Sequence, residues 1–461
     1  MRLAPVAVAL VACVAAGGAS SPRTAVAQAP QPATWTAPAP ILQPPPRTLL
    51  GNPAIAFAPG GTGLVTWDYE LANGHTGQRA ASWLADGTLA RGHELREFIE
   101  PPRVYGRDRA FALVSQRSGG ARRLRVAFGS TDGSFATAQT IYTSGPEAYS
   151  VVSRAAVGER GNVAVVVRSL PREGSSRIVL LERRAGGRFG AATVVQEHYV
   201  CHCYFESSVI AVAVGRRGDL AVAWARGNSI VARVRPPGGR FGPRVRLGRA
   251  NAATNLELAV SPAGAVWATW FDNPRSSAEG RGPMTVRLAV RPARARRFGA
   301  ARVLDRVERT WYGFGAPVQL ALDPRGAGFL TWSTPAGNNP RVRLASADPR
   351  GGGVRVRTLS APGTQAFAKV LVTSRRPGEA LAVWSEIDEE HGLSHVVARR
   401  VSPDGALAPA QVVSTSGHAG APAAAVEPVS GRAIVLWAEA LPKPTPGSPT
   451  QHVLLASTLA P

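Results

Sequence analysis

The chain has 461 residues, a formal net charge of +23, 45% hydrophobic residues and 18% charged residues. That much apolar content excludes disorder throughout, and no apolar run of about 18 residues follows the N-terminal segment, which excludes a spanning helix there. With 49 glycines and 38 prolines, the composition suits many short strands joined by turns, in roughly three domains or in one large all-β unit.

The first 27 residues read as an export signal. Met1-Arg2 is a short positive start, Leu3 to Ala16 is apolar, and Ala25-Val26-Ala27 has the small-x-small form of a cleavage site, with Gln28 as the mature N-terminus. A second reading uses Leu10-Val11-Ala12-Cys13, which resembles a bacterial lipobox and would tether the chain to a membrane at Cys13. Either reading places the protein in the secreted or envelope-associated class. Residues 28–34 form a short Pro-rich lead-in, and 35–461 the folded domain.

From there one pattern recurs: an alternating apolar strand, a turn with Pro or Gly, then a second apolar strand often reaching Trp. It first runs Ala54-Ile55-Ala56-Phe57-Ala58-Pro59-Gly60 and Gly63-Leu64-Val65-Thr66-Trp67. Copies reach Trp224, Trp270, Trp332, Trp384 and Trp437; the copy at Ala155 to Val167 lacks the Trp, and one at Arg103 to Ser115 is degraded. Each pair is followed by a third strand, an Asp-Gly or Gly-rich turn, and a fourth strand opened by Phe-Gly, as in Arg188-Phe189-Gly190 and Arg240-Phe241-Gly242. The unit is four antiparallel strands, roughly fifty residues long, and eight units fit; absorbing the degraded one gives seven.

The last unit stops after its third strand, at Val453-Leu454-Leu455-Ala456. The segment Trp35-Thr36-Ala37-Pro38-Ala39-Pro40-Ile41-Leu42 reads like a missing fourth strand. A ring whose last sheet takes that strand from the N-terminus has no free edge, which removes the hazard of an unpaired strand. The predicted fold is therefore all-β, a single β-propeller closed by an N-terminal strand in the last blade.

At repeat level the chain resembles bacterial secreted β-propellers of the sialidase-like or BNR-repeat type. That resemblance implies first strands along a central channel, and a functional face made by the blade-to-blade loops and the loops between second and third strands. The Asp-box of that family is eroded here to Ser130-Thr131-Asp132-Gly133-Ser134-Phe135 and Ser402-Pro403-Asp404-Gly405, and its early Phe/Tyr-Arg-Ile-Pro motif is not found.

On that face the expected blade-to-blade aromatics are Tyr105, Tyr149, Tyr199, Tyr204, Phe205, Trp311, Tyr312, Phe314 and Phe367. The loops after the Trp strands add Asp68, Tyr69, Glu70, Asp272, Asn273, Asn338, Asn339, Glu386, Asp388, Glu389, Glu390, His391 and Glu439. Rings that stack on sugar C–H faces, and carboxylates that accept from hydroxyls, suit carbohydrate recognition. The candidate ligand-binding set is Tyr105, Tyr149, Tyr204, Phe205, Trp311, Tyr312, Asp68, Glu70, Asp272 and Glu386. The same residue types also serve as packing between blades and as solvated turns.

After export, only Cys201 and Cys203 remain, within His198-Tyr199-Val200-Cys201-His202-Cys203-Tyr204. An oxidising compartment favours a local disulfide between them, which requires the backbone to bend. A metal site of His198, Cys201, His202 and Cys203, or free thiols, are the other readings.

The charge excess is almost all arginine, since only Lys369 and Lys443 are lysines. In Arg244-Val245-Arg246 and Arg355-Val356-Arg357, alternation puts arginine on the solvent side. This reads either as compositional filling of solvent positions or as an Arg-rich rim that holds an anionic envelope polymer. An exported protein with this pattern is not expected to bind nucleic acid. The resulting expectation is a binding scaffold for a glycan or an extracellular protein, with no catalytic residue, cofactor or metal assigned. A sialidase-like or other glycoside hydrolase using the loop-face carboxylates is the alternative.

Overall fold

A four-stranded twisted sheet buries its apolar residues only by stacking on other sheets, and eight such sheets can stack on one another in a circle. The structure, a computed structural model, describes residues 34–45, 47–95, 102–118, 121–145, 148–171, 175–199, 209–250, 254–272, 284–307, 318–334, 340–373, 376–388, 390–402, 405–441 and 451–460. Among them there is no helix.

Each blade is antiparallel, and in blades one to seven the four strands lie in sequence order. Blade one is Leu49–Phe57, Gly63–Glu70, Thr76–Trp83 and His93–Leu95; blade two is Arg103–Tyr105, Arg109–Ser118, Ala121–Ser130 and Gln139–Thr143. Blade three is Ala148–Val157, Val163–Pro171, Ser175–Arg183 and Thr193–Tyr199; blade four is Ile210–Val214, Leu220–Ala225, Ser229–Arg235 and Val245–Arg249. Blade five is Thr254–Val260, Val266–Asp272, Met284–Arg291 and Arg302–Val307; blade six is Gln319–Leu322, Gly328–Thr334, Arg341–Ala347 and Arg355–Thr358. Blade seven is Gln365–Thr373, Ala380–Asp388, Leu393–Val401 and Gln411–Val412. Blade eight is Ala423–Val426, Ala433–Leu441 and Gln451–Leu459, completed by Ala39–Leu42. The degraded unit near Arg103 is thus a full blade, and the count is eight rather than seven.

Closure is the pairing of chain ends expected above. Ala39 lies opposite Ala456, Pro40 opposite Leu455 and Leu42 opposite Leu454, and Trp35 bridges to Leu459. Thr36 N–H donates to the Thr458 carbonyl at 2.9 Å, and Ser457 Oγ donates to the Thr36 carbonyl at 2.7 Å. Beneath this pairing, Ile41 and Leu42 join a core with Trp67, Leu436 and Leu454 that spans blades eight and one.

Second strands are buried on both faces because each stands between two neighbouring sheets. Leu220–Ala225, Val266–Asp272 and Gly328–Thr334 are buried at every position, so they read as mainly apolar runs rather than as apolar–polar alternation. The repeated Trp of this strand reaches back to the preceding blade. Trp224 packs with Val166, Ile178 and Leu180 of blade three, Trp270 with Leu247 of blade four, and Trp384 with Val342 and Leu344 of blade six. Truncating such a fully buried ring costs about 3–5 kcal/mol.

First-to-second-strand turns repeat one geometry. In blade four, Gly215 N–H donates to the Asp219 carbonyl and Gly218 N–H to the Gly215 carbonyl; Gly218 has φ +94°, which suits a residue without Cβ. The Phe-Gly pairs do not open the fourth strands. Phe189 forms a lone bridge to Arg183, and the strand begins at Thr193. The chain must first leave the glycine turn, with Gly190 N–H donating back to the Glu182 carbonyl.

Candidate functional site

The ends of the second strands place four candidate carboxylates on the loop face. Asp68 and Glu70 come together with Leu49, Leu50, Gly51, Tyr69, Thr76, Gly77 and Gln78 around a cleft of about 550 Å³ in blade one. Asp68 is oriented at both oxygens: Asn52 Nδ2 donates to Oδ2 at 2.9 Å, and Gln78 Nε2 donates to Oδ1 at 2.7 Å. Asn52 reaches it because the pairing of the first two strands is interrupted between Gly51 and Ala54, with Asn52 at φ +42°. Such interruptions re-aim side chains. Glu70, two residues on, is exposed. Tyr69 points the other way, as alternation requires, and is buried against the blade-one core. Burial, and then the nearby Glu94 carboxylate, push its phenol above the ordinary range, so it stays neutral. Gly77 leaves the room for its ring, since a Cβ there would stand 2.6 Å from the Tyr69 oxygen.

Asp272 and Glu386 lie in other blades and do not join this cleft. Asp272 is 1% exposed, and its Oδ2 accepts from Arg287 Nε at 2.7 Å. Glu386 accepts from Trp384 Nε1 at 2.9 Å, and Glu439 makes the same contact with Trp437 at 2.8 Å. Trp-x-Glu on one strand puts both side chains on one face, so the carboxylate satisfies the indole N–H.

Tyr105 corrects the loop assignment. It ends the three-residue first strand of blade two, opposite Arg109, and so lies at the first-to-second-strand turn on the face away from the blade-one cleft. It is 6% exposed and packs in the core between blades two and three. Tyr149 is the second residue of Ala148–Val157, on the loop-face side. Tyr204, Phe205, Trp311, Tyr312, Cys201 and Cys203 lie outside the described residues. So do His202 and Phe314; His198 is placed only by its backbone, in Thr193–Tyr199.

The opposite face, made by first-to-second and third-to-fourth strand turns, holds a larger cavity of about 890 Å³ between blades three and four. Its arginines were not singled out as a site from the sequence. The available signal was a repeat within the repeat: Arg183-Arg184-Ala185-Gly186-Gly187-Arg188 and Arg235-Pro236-Pro237-Gly238-Gly239-Arg240 are equivalent turns of successive blades.

No protein-family model matches the chain, and no curated protein matches it. Among solved structures it is similar to a prolyl endopeptidase, 15% identical over 85% of this chain and 53% of that one, with a TM-score of 0.45. The chain therefore spans about half the length of that peptidase. It is also similar to the WD40 domain of SCAP from fission yeast, 7% identical over 92% and 94% of the two chains, with a TM-score of 0.46. A polysaccharide lyase, an ulvan lyase, is 9% identical over 76% and 93%, with a TM-score of 0.48. These neighbours differ in function, and likeness at this level carries no activity across.

Proposed function

We propose that the protein is an exported, non-catalytic binding scaffold that recognises a glycan at the blade-one cleft of its loop face. The observation that supports this most directly is the Asp68 carboxylate, held at both oxygens by Asn52 and Gln78 beside the exposed Glu70. A carboxylate already aimed loses little side-chain freedom when it accepts from a sugar hydroxyl. The leader at residues 1–27, or a lipid at Cys13, would deliver the scaffold to the extracytoplasmic side, where glycans and surface proteins are its partners.

A glycan array probed with wild type and with Asp68→Asn, Glu70→Gln tests the reading. Retention of a defined oligosaccharide class by wild type and its loss in the double variant is expected. No glycan bound, with a specific protein recovered from the cell surface, replaces the glycan by a protein partner. A panel of fluorogenic glycosides covers the remaining alternative: turnover abolished by Asp68→Asn would make the protein a glycoside hydrolase.

A further inference from the structure

The cavity between blades three and four is lined by Arg183, Arg184, Arg188, Arg217 and Arg235, with Glu182 as the one carboxylate. Three of these arginines are held by neighbours. Arg183 stacks over the Phe128 ring at 4.0 Å. Arg235 lies over Phe241 at 5.2 Å and is paired to Glu182, with Nη1 to Oε2 at 2.7 Å. Arg217 Nε donates to the buried Asp219 at 3.3 Å. Arg184 and Arg188, both exposed on the turn of blade three, have no carboxylate partner among the described residues. The cleft thus combines fixed guanidinium groups with two left uncompensated, which is an arrangement that attracts anions and binds them in fork geometry.

Beside this cleft, along the first-to-second-strand turns of blades one to four, lies a second cavity of about 520 Å³ lined by Arg107, Arg160 and Arg216, the last paired to Glu159 at 3.0 Å. Two neighbouring basic cavities suit a chain with repeated charges better than a single small anion. Single-stranded nucleic acid would need rings on which bases stack. The rings here are taken: Phe128 and Phe189 pack into the core of blades two and three, and Phe128 and Phe241 are covered by arginines.

We propose that this face carries an acidic-polysaccharide site, in which the Arg184 and Arg188 guanidinium groups bind successive anionic sugars of one strand. The site lies on the face opposite the blade-one cleft and does not depend on the glycan reading of that cleft.

The test is binding of a fluorescent oligogalacturonate at physiological salt, with neutral malto-oligosaccharide and oligothymidylate as comparison probes. Wild type binds the oligogalacturonate over both, and Arg184→Ser, Arg188→Ser weakens it by about tenfold or more. Arg246→Ser, Arg302→Ser removes the same formal charge from exposed fourth-strand positions and changes affinity by less than about twofold, since distant exposed charges are screened. Asp68→Asn leaves oligogalacturonate binding intact, which separates this site from the loop-face one. Equal loss in the two arginine pairs, oligothymidylate bound as tightly as oligogalacturonate, or no binding by wild type would each overturn the proposal.

Discussion

Trp332 donates its indole Nε1–H to Asp305 Oδ2 over 2.9 Å, and the two residues belong to different blades. Asp305 stands on the fourth strand of blade five, Trp332 on the second strand of blade six, and Arg343 of blade six donates to the other oxygen at 2.8 Å. Neighbouring sheets meet largely through apolar contact, which is non-directional, with a few polar contacts such as Arg235 to Glu182 between blades four and three. The Asp305 carboxylate adds a directional clasp. Removing the acceptor would leave a buried indole N–H and a partly buried guanidinium without it. Asp305→Ala is therefore expected to cost about 2–3 kcal/mol, and Asp305→Asn less. Denaturant unfolding checks the order; wild-type stability in Asp305→Ala would show that the clasp contributes nothing.

Gly328 opens the second strand of blade six directly beneath Trp267 of blade five. A Cβ at that position would stand 2.3 Å from Trp267 Cζ3. Gly328→Ala is expected to destabilise by about 1–3 kcal/mol, the usual effect of overpacking a filled core. Trp267→Leu in the same chain should recover part of that loss, because the two changes share one contact. Thermal unfolding of the single and double variants gives the comparison.

The pairing of Ala39–Leu42 with Gln451–Leu459 leads to an asymmetric truncation result. Deleting residues 34–42 bares an edge of blade eight and uncovers part of the core beneath Leu454, so aggregation or an unfolded product is expected in size-exclusion chromatography. Deleting residues 28–33 instead should leave a folded protein that elutes as the undeleted protein does. Two equally harmless deletions would show that the N-terminal strand is dispensable for closure.

Acid stability should depend on His452, on the third strand of blade eight. Burial lowers its pKa below the ordinary 6.5, and a hydrogen bond to the Leu50 backbone offsets part of that. The unfolded chain then binds a proton more readily than the folded one. The cost is absent well above 6.5 and appears as pH falls through 6.5 toward the depressed folded value. His452→Gln should flatten the unfolding midpoint between about pH 7 and pH 5. An unchanged slope would assign the acid sensitivity elsewhere.

The third-to-fourth-strand turn of blade two responds to acid in a lower window. The Ser130 and Ser134 hydroxyls, with the Ser134 N–H, hold the Asp132 carboxyl below its usual 3.8. Its contribution is present above 3.8 and is lost as pH falls through the depressed value. Because the side chain is exposed, the effect should be small. Asp132→Asn should therefore shift unfolding slightly at neutral pH and remove that step below 3.8, as read by fluorescence-monitored acid titration.

The all-β class, the four-strand unit and the joining of the termini are legible in the sequence by itself; the blade count stays at eight or seven until the degraded unit is seen as a full sheet. These features rest on local periodicity and turn chemistry repeated along the chain: apolar runs reaching Trp224, Trp270 and Trp384, glycine turns, and an orphan strand at each end. Side-chain destinations are not legible in that way. Trp332 and its acceptor Asp305 are 27 residues apart, in separate sheets. Tyr105 resembles a loop-face aromatic until the three-residue strand Arg103–Tyr105 carries it to the opposite end of the blade. Glu386 and Asp272 look alike as loop acids, yet one satisfies an indole and the other, itself buried, holds a partly buried guanidinium. Arg184 and Arg217 share a cleft only because blades three and four stack. Period and turn type are properties of neighbours along the chain. Convergence of charge is a property of neighbours across sheets, and only the closed ring decides which those are.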